Sequence, residues 1–313
     1  MTTLFRSATL TGLAFCGLGI APALAAPVGY SLGTNGSVLV SMPDLSTPGN
    51  VTGVGISDGV RLSGLAYRPN TRELYGFGQQ DNTVYTVNPD DGQVSPVVST
   101  DDGVNVGELG IDFNNQVDAA RIVSTNEDNL VFFPAGMEPA DIQRFTDLFY
   151  PEGDVNAGVN PSVFSNAYTN QVPNAETTQQ YVLDSELDIL ATLANNSGVL
   201  GTIGQLSVDG ETPLDFTATG GFDIFSAVAG ENTGYTLLNT ASGVGLYELL
   251  GFEPNENGFV MANFLGQAGD DFGPLDGLAV YDNDLTPVPL PAGFVLLGSA
   301  LVGFGALRRR RGA

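Results

Sequence analysis

The sequence predicts an all-β protein: a five-bladed, propeller-like ring closed by its N- and C-terminal strands, with a signal peptide before it and one transmembrane helix after it. Three observations carry that prediction. A four-residue motif, glycine, large apolar, alanine or aspartate, large apolar, is written four times, as Gly64-Leu65-Ala66-Tyr67, Gly110-Ile111-Asp112-Phe113, Gly221-Phe222-Asp223-Ile224 and Gly277-Leu278-Ala279-Val280. Its glycines lie 46, 111 and 56 residues apart, so the long middle gap has room for a degenerate fifth copy, expected in Val163-Phe164-Ser165-Asn166-Ala167-Tyr168. Short apolar runs broken by Gly, Asn, Asp and Pro fill the gaps, and a period of about 50 residues built from short strands marks a radially repeated β architecture.

Taken in order, the first unit offers strands at Gly29–Leu32, Ser37–Ser41 and Asn50–Ile56, with the turn Gly33-Thr34-Asn35-Gly36 between the first two. It lacks an opening glycine strand, which Gly277–Tyr281 from the far end supplies, so that the two ends close the ring and no sheet edge is left open there. The second unit reads most clearly: Gly64–Tyr67, Glu73–Gly78, Thr83–Asn88 and Gln93–Ser99, joined by turns at Pro69-Asn70, Gln80-Asp81-Asn82 and Pro89-Asp90-Asp91-Gly92. The third runs through Gly110–Phe113, Ala120–Ser124 and Asn129–Phe133. After it, Pro139–Leu148 carries Ile142, Phe145 and Leu148 at helical spacing and is expected to form a short surface helix. The fourth is Val163–Thr169, Gln179–Asp184, Asp188–Leu193 and Gly198–Ile203; the fifth is Gly221–Phe225, Gly234–Asn239, Gly245–Leu250 and Gly258–Leu265. A β-sandwich built from the same meanders is the alternative, because strand count alone does not separate the two.

Both ends read as addresses. Arg6, the apolar run Leu10–Leu24 and the closing Ala23-Leu24-Ala25 form a signal peptide over residues 1–25, cleaved by signal peptidase before Ala26. At the other end, residues 287–313 hold Val288-Pro289-Leu290-Pro291-Ala292, an uncharged run to Leu307, and Arg308, Arg309, Arg310 and Arg311. The 20 residues from Val288 to Leu307 would span about 30 Å as a helix, enough to cross a bilayer, with the arginines held on the cytoplasmic side. The order of motif, apolar helix and arginine cluster resembles the VPLPA-CTERM sorting signal of Gram-negative bacteria. That resemblance implies recognition by an exosortase-type enzyme, with the domain at residues 26–286 exported across the inner membrane and delivered to the cell surface or the extracellular matrix. A permanent single-pass anchor is the alternative.

A second resemblance lies in the domain itself. Gly110-Ile111-Asp112-Phe113-Asn114, Val117-Asp118, Arg121-Ile122-Val123-Ser124 and Asn129-Leu130 resemble the signature stretch of the bacterial domain-of-unknown-function family 4394. Ala167-Tyr168-Thr169-Asn170, the turn Asn195-Asn196-Ser197-Gly198 and Gly221-Phe222-Asp223-Ile224 follow in that family's order. The departures are Asn115, where the family suggests proline, and Ala119-Ala120, which looks inserted. The resemblance implies a secreted propeller-like domain with no agreed activity.

Composition narrows the chemistry. Outside the two ends, five arginines face 35 acidic residues, a net charge of −30 that disfavours nucleic acid and anionic membrane surfaces. The whole chain has no His, Lys or Trp, and its one cysteine, Cys16, leaves with the signal peptide. The domain therefore lacks thiolate and Schiff-base nucleophiles, the common zinc ligands and the usual base near neutral pH. No catalytic residue is assigned. Asp112 and Asp223 share one register of two inner strands, where they would meet at the channel or cap backbone amides. Arg121 would orient an anionic ligand, or form an ion pair with Asp118 or a neighbouring blade. Ca²⁺ is the one cofactor considered, through Asp90-Asp91, Asn126-Glu127-Asp128, Asp270-Asp271 or Asp282-Asn283-Asp284, against the reading of these as solvated turns. Tyr67, Tyr75, Tyr85 and Tyr168 would line a sugar-binding face or fill the space between units. The expected role is non-enzymatic interaction or structure at the cell exterior, with extracellular polysaccharide or surface proteins as partners; the alternative is a carboxylate-based hydrolase or lyase acting on extracellular polysaccharide.

Overall fold

A computed structural model describes residues 27–282, apart from 103, 105, 106, 137 and 138. The signal peptide with Ala23 and Ala25, the sorting motif and the arginine cluster all lie outside the described residues. Among the described residues no helix is long and apolar enough to cross a membrane.

The protein is all-β. Its strands are β1 (Pro27–Gly33), β2 (Val38–Met42), β3 (Thr52–Gly55), β4 (Gly64–Arg68), β5 (Glu73–Gly78), β6 (Thr83–Val87), β7 (Val94–Ser99), β8 (Leu109–Asn114), β9 (Ala119–Ser124) and β10 (Asn129–Phe133). They continue as β11 (Asp141–Arg144), β12 (Val163–Tyr168), β13 (Gln180–Asp184), β14 (Ile189–Leu193), β15 (Leu200–Ser207), β16 (Gly220–Phe225), β17 (Thr233–Thr240), β18 (Gly243–Leu249), β19 (Phe259–Gln267) and β20 (Asp276–Asp282). Three sheets of four strands have the orders β20-β1-β2-β3, β4-β5-β6-β7 and β8-β9-β10-β11. The remaining eight strands form one sheet, β12-β13-β14-β15-β19-β18-β17-β16, in which two antiparallel meanders join through a parallel pair, Gln205–Ser207 against Phe259–Met261. Its two edge strands, β12 and β16, pack on each other, so this sheet nearly closes on itself.

The C-terminal strand does zip onto the N-terminal one: β20 runs antiparallel to β1, with Gly29 opposite Val280 and Tyr30 opposite Ala279. The motif strands β4, β8, β12, β16 and β20 each pack against the next, and β20 returns to β4. Glycine is needed at Gly110 and Gly221 because the backbones nearly touch there. A Cβ on Gly110 would stand 2.5 Å from the Ser165 Cα, and one on Gly221 would collide with the backbone of Gly277 and Leu278.

The core lies between the meanders rather than inside any one of them. One buried cluster joins Leu32 and Leu39 to Leu65 and Leu74, a second joins Phe77 and Val84 to Ile111 and Phe132, and a third joins Val123 to Val163, Val182 and Leu193. Two more join Phe164 and Leu190 to Phe222 and Leu238, then Leu237 and Leu246 to Val40 and Val280. A four-stranded antiparallel sheet buries both faces only by stacking on a neighbour at each side, which explains the double-sided burial of β5, β9 and β12.

One local expectation is corrected. Residues 139–148 contain no helix; Asp141–Arg144 is an edge strand paired with β10, and Ile142 fills the cluster beneath it, so period-two burial won over an apparent helical spacing. Ala119 and Ala120 are regular strand residues, because β8 and β9 pair without a bulge from Leu109 opposite Ser124 to Asn114 opposite Ala119. The turn between them is closed by Asp118 at φ 53° and by the Asp118 N–H donating to the Asn114 carbonyl.

Candidate functional site

Asp112 on β8 and Asp223 on β16 are both buried, at 4% and 1% exposure. The Asp112 Oδ2 accepts the Tyr168 N–H at 2.7 Å, and the Asp223 Oδ2 accepts the Val280 N–H at 2.6 Å. Tyr168 and Val280 lie on β12 and β20, edge strands of their sheets whose outer amides have no ladder partner. Each aspartate therefore ties one motif strand to the next. The matching bonds also align the degenerate copy: Tyr168 corresponds to Val280, so Ser165-Asn166-Ala167-Tyr168 is the fifth motif, with Ser165 in the glycine position and Ala167 between the two aspartates.

Asp223 has further partners: its Oδ1 accepts the Ile224 N–H at 2.7 Å, and the Gln171 amide donates to both oxygens at 3.2 Å. Burial raises Asp112 well above the carboxylate range, and the nearby charge of Asp223 adds to the effect. Burial also lifts Asp223 to about 7, against the pull of the hydrogen bonds from Val280, Ile224 and Gln171. Both carboxyls are thus harder to ionise than an exposed aspartate. Of the two readings the sequence leaves open for these aspartates, the hydrogen bonds show the capping of backbone amides.

Arg121 on β9 stands opposite Asp112 in the register, yet none of the ion pairs among the described residues includes it. Asp118, its expected partner, is taken by Arg68, which donates from Nε at 2.8 Å and Nη2 at 2.6 Å across the second and third meanders. Burial pushes Asp118 up, but the hydrogen bonds from Arg68 and Asn70 outweigh it and hold the carboxyl below its ordinary value. Arg121 is 5% exposed; its Nη1 donates to Asn129 Oδ1 at 2.6 Å, its Nη2 to Asn196 Oδ1 at 2.7 Å, and its Nε has no partner. The guanidinium sits 5.7 Å from the Phe145 ring centre and opens onto a cavity of about 530 Å³ between the third and fourth meanders.

A second cavity, about 520 Å³, lies where the motif strands begin, lined by Arg61, Gln79, Gln80, Glu108, Thr219 and Asp276 among others. Burial raises Asp276 well above the carboxylate range; the charge of Glu108 and a hydrogen bond between the two side chains add to it, against the amides of Gly220 and Gly277. Neither residue was singled out in the sequence. The signal was present, because Asp276 immediately precedes the motif glycine Gly277 and Glu108 stands two before Gly110.

The tyrosines fill gaps between sheets. Tyr67 stacks on Tyr281 at 4.1 Å, Tyr281 on Tyr30 at 5.6 Å, and Tyr75 meets Phe113 edge-on at 5.2 Å. Tyr85 and Tyr168 are buried, and the Tyr85 hydroxyl donates to Asp81. Among the described residues no group of three or more acidic side chains is arranged to hold a metal ion. In the acidic loops, Asp91 accepts the Gln93 N–H, and Asp128 accepts from Ser124 and Arg144.

Residues 39–250, from β2 to the end of β18, match the model of a domain of unknown function, DUF4394. The chain belongs to this family. No curated protein matches the DUF4394 chain. Among solved structures it is similar to one from a nidogen/laminin complex, at 12% identity and a TM-score of 0.46, covering 82% of this chain and 98% of that one. It is similar to a gluconolactonase from Xanthomonas campestris, at 15% identity and TM-score 0.42, covering 81% and 79%. A protein of unknown function from Bacteroides thetaiotaomicron gives 15% identity and TM-score 0.45, covering 83% and 71%.

Proposed function

We propose that this DUF4394 protein is an exported five-bladed β-propeller that acts as a non-enzymatic interaction or structural component at the bacterial cell exterior, alongside exopolysaccharide. In this reading the five meanders are blades, the shared clusters are blade interfaces, and the β20–β1 pair is the closure. Signal peptidase removes residues 1–25. An exosortase-type enzyme reads Val288–Ala292 while Arg308–Arg311 hold the tail in the inner membrane of a Gram-negative cell, and the domain passes to the surface or matrix.

The observation that carries the non-enzymatic half is the use of the axial carboxylates. Asp112 and Asp223 spend their oxygens on the amides of Tyr168, Val280 and Ile224 and are closed to solutes, so neither can trade a proton with a substrate. Deletion of residues 288–313 tests the sorting half. The truncated protein is expected to leave the surface fraction; unchanged surface delivery would overturn it.

The hydrolase or lyase reading gains from one observation, the placing of Glu108 and Asp276 together on the wall of a cavity, where burial and the neighbouring acid raise Asp276. Under it, Glu108→Gln abolishes cleavage of an extracellular polysaccharide that the wild type depolymerises. Absence of any wild-type cleavage of acidic and neutral polysaccharides disposes of that reading.

A further inference from the structure

We propose that the cleft beside Arg121 is a binding site for a carboxylate-bearing sugar, a uronic acid residue, held through the Arg121 guanidinium. The inference rests on the recognition reading above and names the class of ligand recognised.

The first observation is a charge without a counter-charge. In a domain with seven acidic residues for every arginine, Arg121 is 95% buried and belongs to no ion pair among the described residues. Its Asp112 neighbour across the β8–β9 ladder spends its Oδ2 on the Tyr168 N–H, and Asp118 belongs to Arg68. An unpaired buried cation is expensive, on the order of several kcal/mol, unless something compensates it. The neutral oxygens of Asn129 and Asn196 satisfy two donors but supply no negative charge.

The second observation is the unpartnered Nε–H of the same side chain, on a residue that lines the cavity. A guanidinium offers Nε–H and one Nη–H as a planar fork, and that fork matches the two oxygens of a carboxylate. The Arg121 Nε is buried and has no acceptor, so the fold leaves this donor of the fork unsatisfied.

The third is the chemistry of the walls. Gln116, Asn195, Asn196 and Ser197 present amides and a hydroxyl, while Val117 and Phe133, 64% and 36% exposed, present apolar surface. Amides and hydroxyls suit ring hydroxyls, an apolar wall suits the C–H face of a pyranose, and about 530 Å³ is the size of small-molecule sites. A bare inorganic anion would leave those walls unused. Neutral sugars would leave Arg121 uncompensated.

The test is thermal melting and calorimetric titration of the intact domain with sodium D-glucuronate and D-galacturonate, against D-glucose, D-galactose and sodium acetate at equal ionic strength. The two uronates are expected to raise the melting temperature by a few degrees, and the controls by much less. Asn196→Asp places a carboxylate on the Arg121 Nη2 from an exposed turn; it should raise the ligand-free melting temperature and reduce uronate binding at least tenfold. Gln116→Ala, at an exposed wall position whose amide donates to the Glu176 carbonyl at 2.7 Å, should weaken binding severalfold with little loss of stability. No uronate effect on the wild type, an equal effect of acetate, or full binding by Asn196→Asp would overturn the proposal. Release of cleaved products from an oligouronate would overturn the non-enzymatic reading and leave the site standing, so the two fail separately.

Discussion

Asp112 and Arg121 face each other across the same β8–β9 ladder, both almost wholly buried, and the protein treats them in opposite ways. The carboxylate is anchored to a backbone amide of the next motif strand and has a second acid, Asp223, to share its proton problem with. The guanidinium has amide oxygens, an aromatic ring and an open cavity. Burial of a charge is tolerable when the fold itself consumes it, and informative when the fold leaves part of it unused. The aspartates thus belong to the architecture, and the cleft is where the proposed site lies.

The comparison breaks first if the motif strands can move apart, since the aspartates reach the next strand only at backbone contact distance. Gly110→Ala or Gly221→Ala should be the most damaging change, costing about 3 kcal/mol or more, because the added methyl meets backbone that cannot give way. Urea unfolding measures it; a cost below about 1 kcal/mol would show that the close approach is not required.

Next in size is the axial pair itself. Asp223→Ala leaves the Val280 N–H orphaned and should cost roughly 2–3 kcal/mol. Asp223→Asn separates charge from shape. Since burial raises Asp223 from 3.8 to about 7, the folded protein binds more protons than the unfolded chain between those values. This group's contribution is complete below pH 4 and lost as the pH rises through 7. The asparagine variant should therefore melt higher than the wild type at pH 8, with the advantage shrinking toward pH 4.5; parallel melting curves across that range would contradict the raised pKa.

The smallest effect sharpens the contrast with Arg121. Arg68 has its carboxylate, so Arg68→Gln should cost on the order of 1–2 kcal/mol at neutral pH, with Asp118 partly exposed and screened. Asp118 is held below its ordinary pKa, so that bond's contribution is present above the unfolded value and fades as the pH falls through the folded one. Chemical denaturation of this variant at pH 7 and pH 3 should show the difference closing. Equal losses at both values would mean that the ion pair is not what was removed.

The succession of motif strands was legible because backbone contact forces a residue type: glycine recurs where strands collide, and four of the five motif strands announce themselves. The fourth unit hid its copy because Ser165 and Asn166 stand where the other motifs carry glycine and a large apolar residue, and the register emerged only from the Asp112 to Tyr168 bond. The edge strand at Asp141–Arg144 was misread because Ile142, Phe145 and Leu148 mimic a helical stripe, while only Ile142 belongs to the strand. Of the site, Arg121 drew notice by rarity, but its freedom from Asp118 was invisible, since Arg68 lies 50 residues earlier in the chain and meets Asp118 only through packing. Glu108 and Asp276 are 168 residues apart and carry no shared local pattern, so only the tertiary packing brings them to one cavity.

Amide hydrogen exchange at Tyr168 and Val280 tests the central claim most directly. Both N–H groups lie on edge strands and should exchange as slowly as ladder amides, because Asp112 and Asp223 hold them; in Asp112→Ala the Tyr168 amide alone should become fast while Val280 stays protected. Rapid exchange of both amides in the unaltered protein would mean that the aspartates are not committed to the fold and are free for other chemistry.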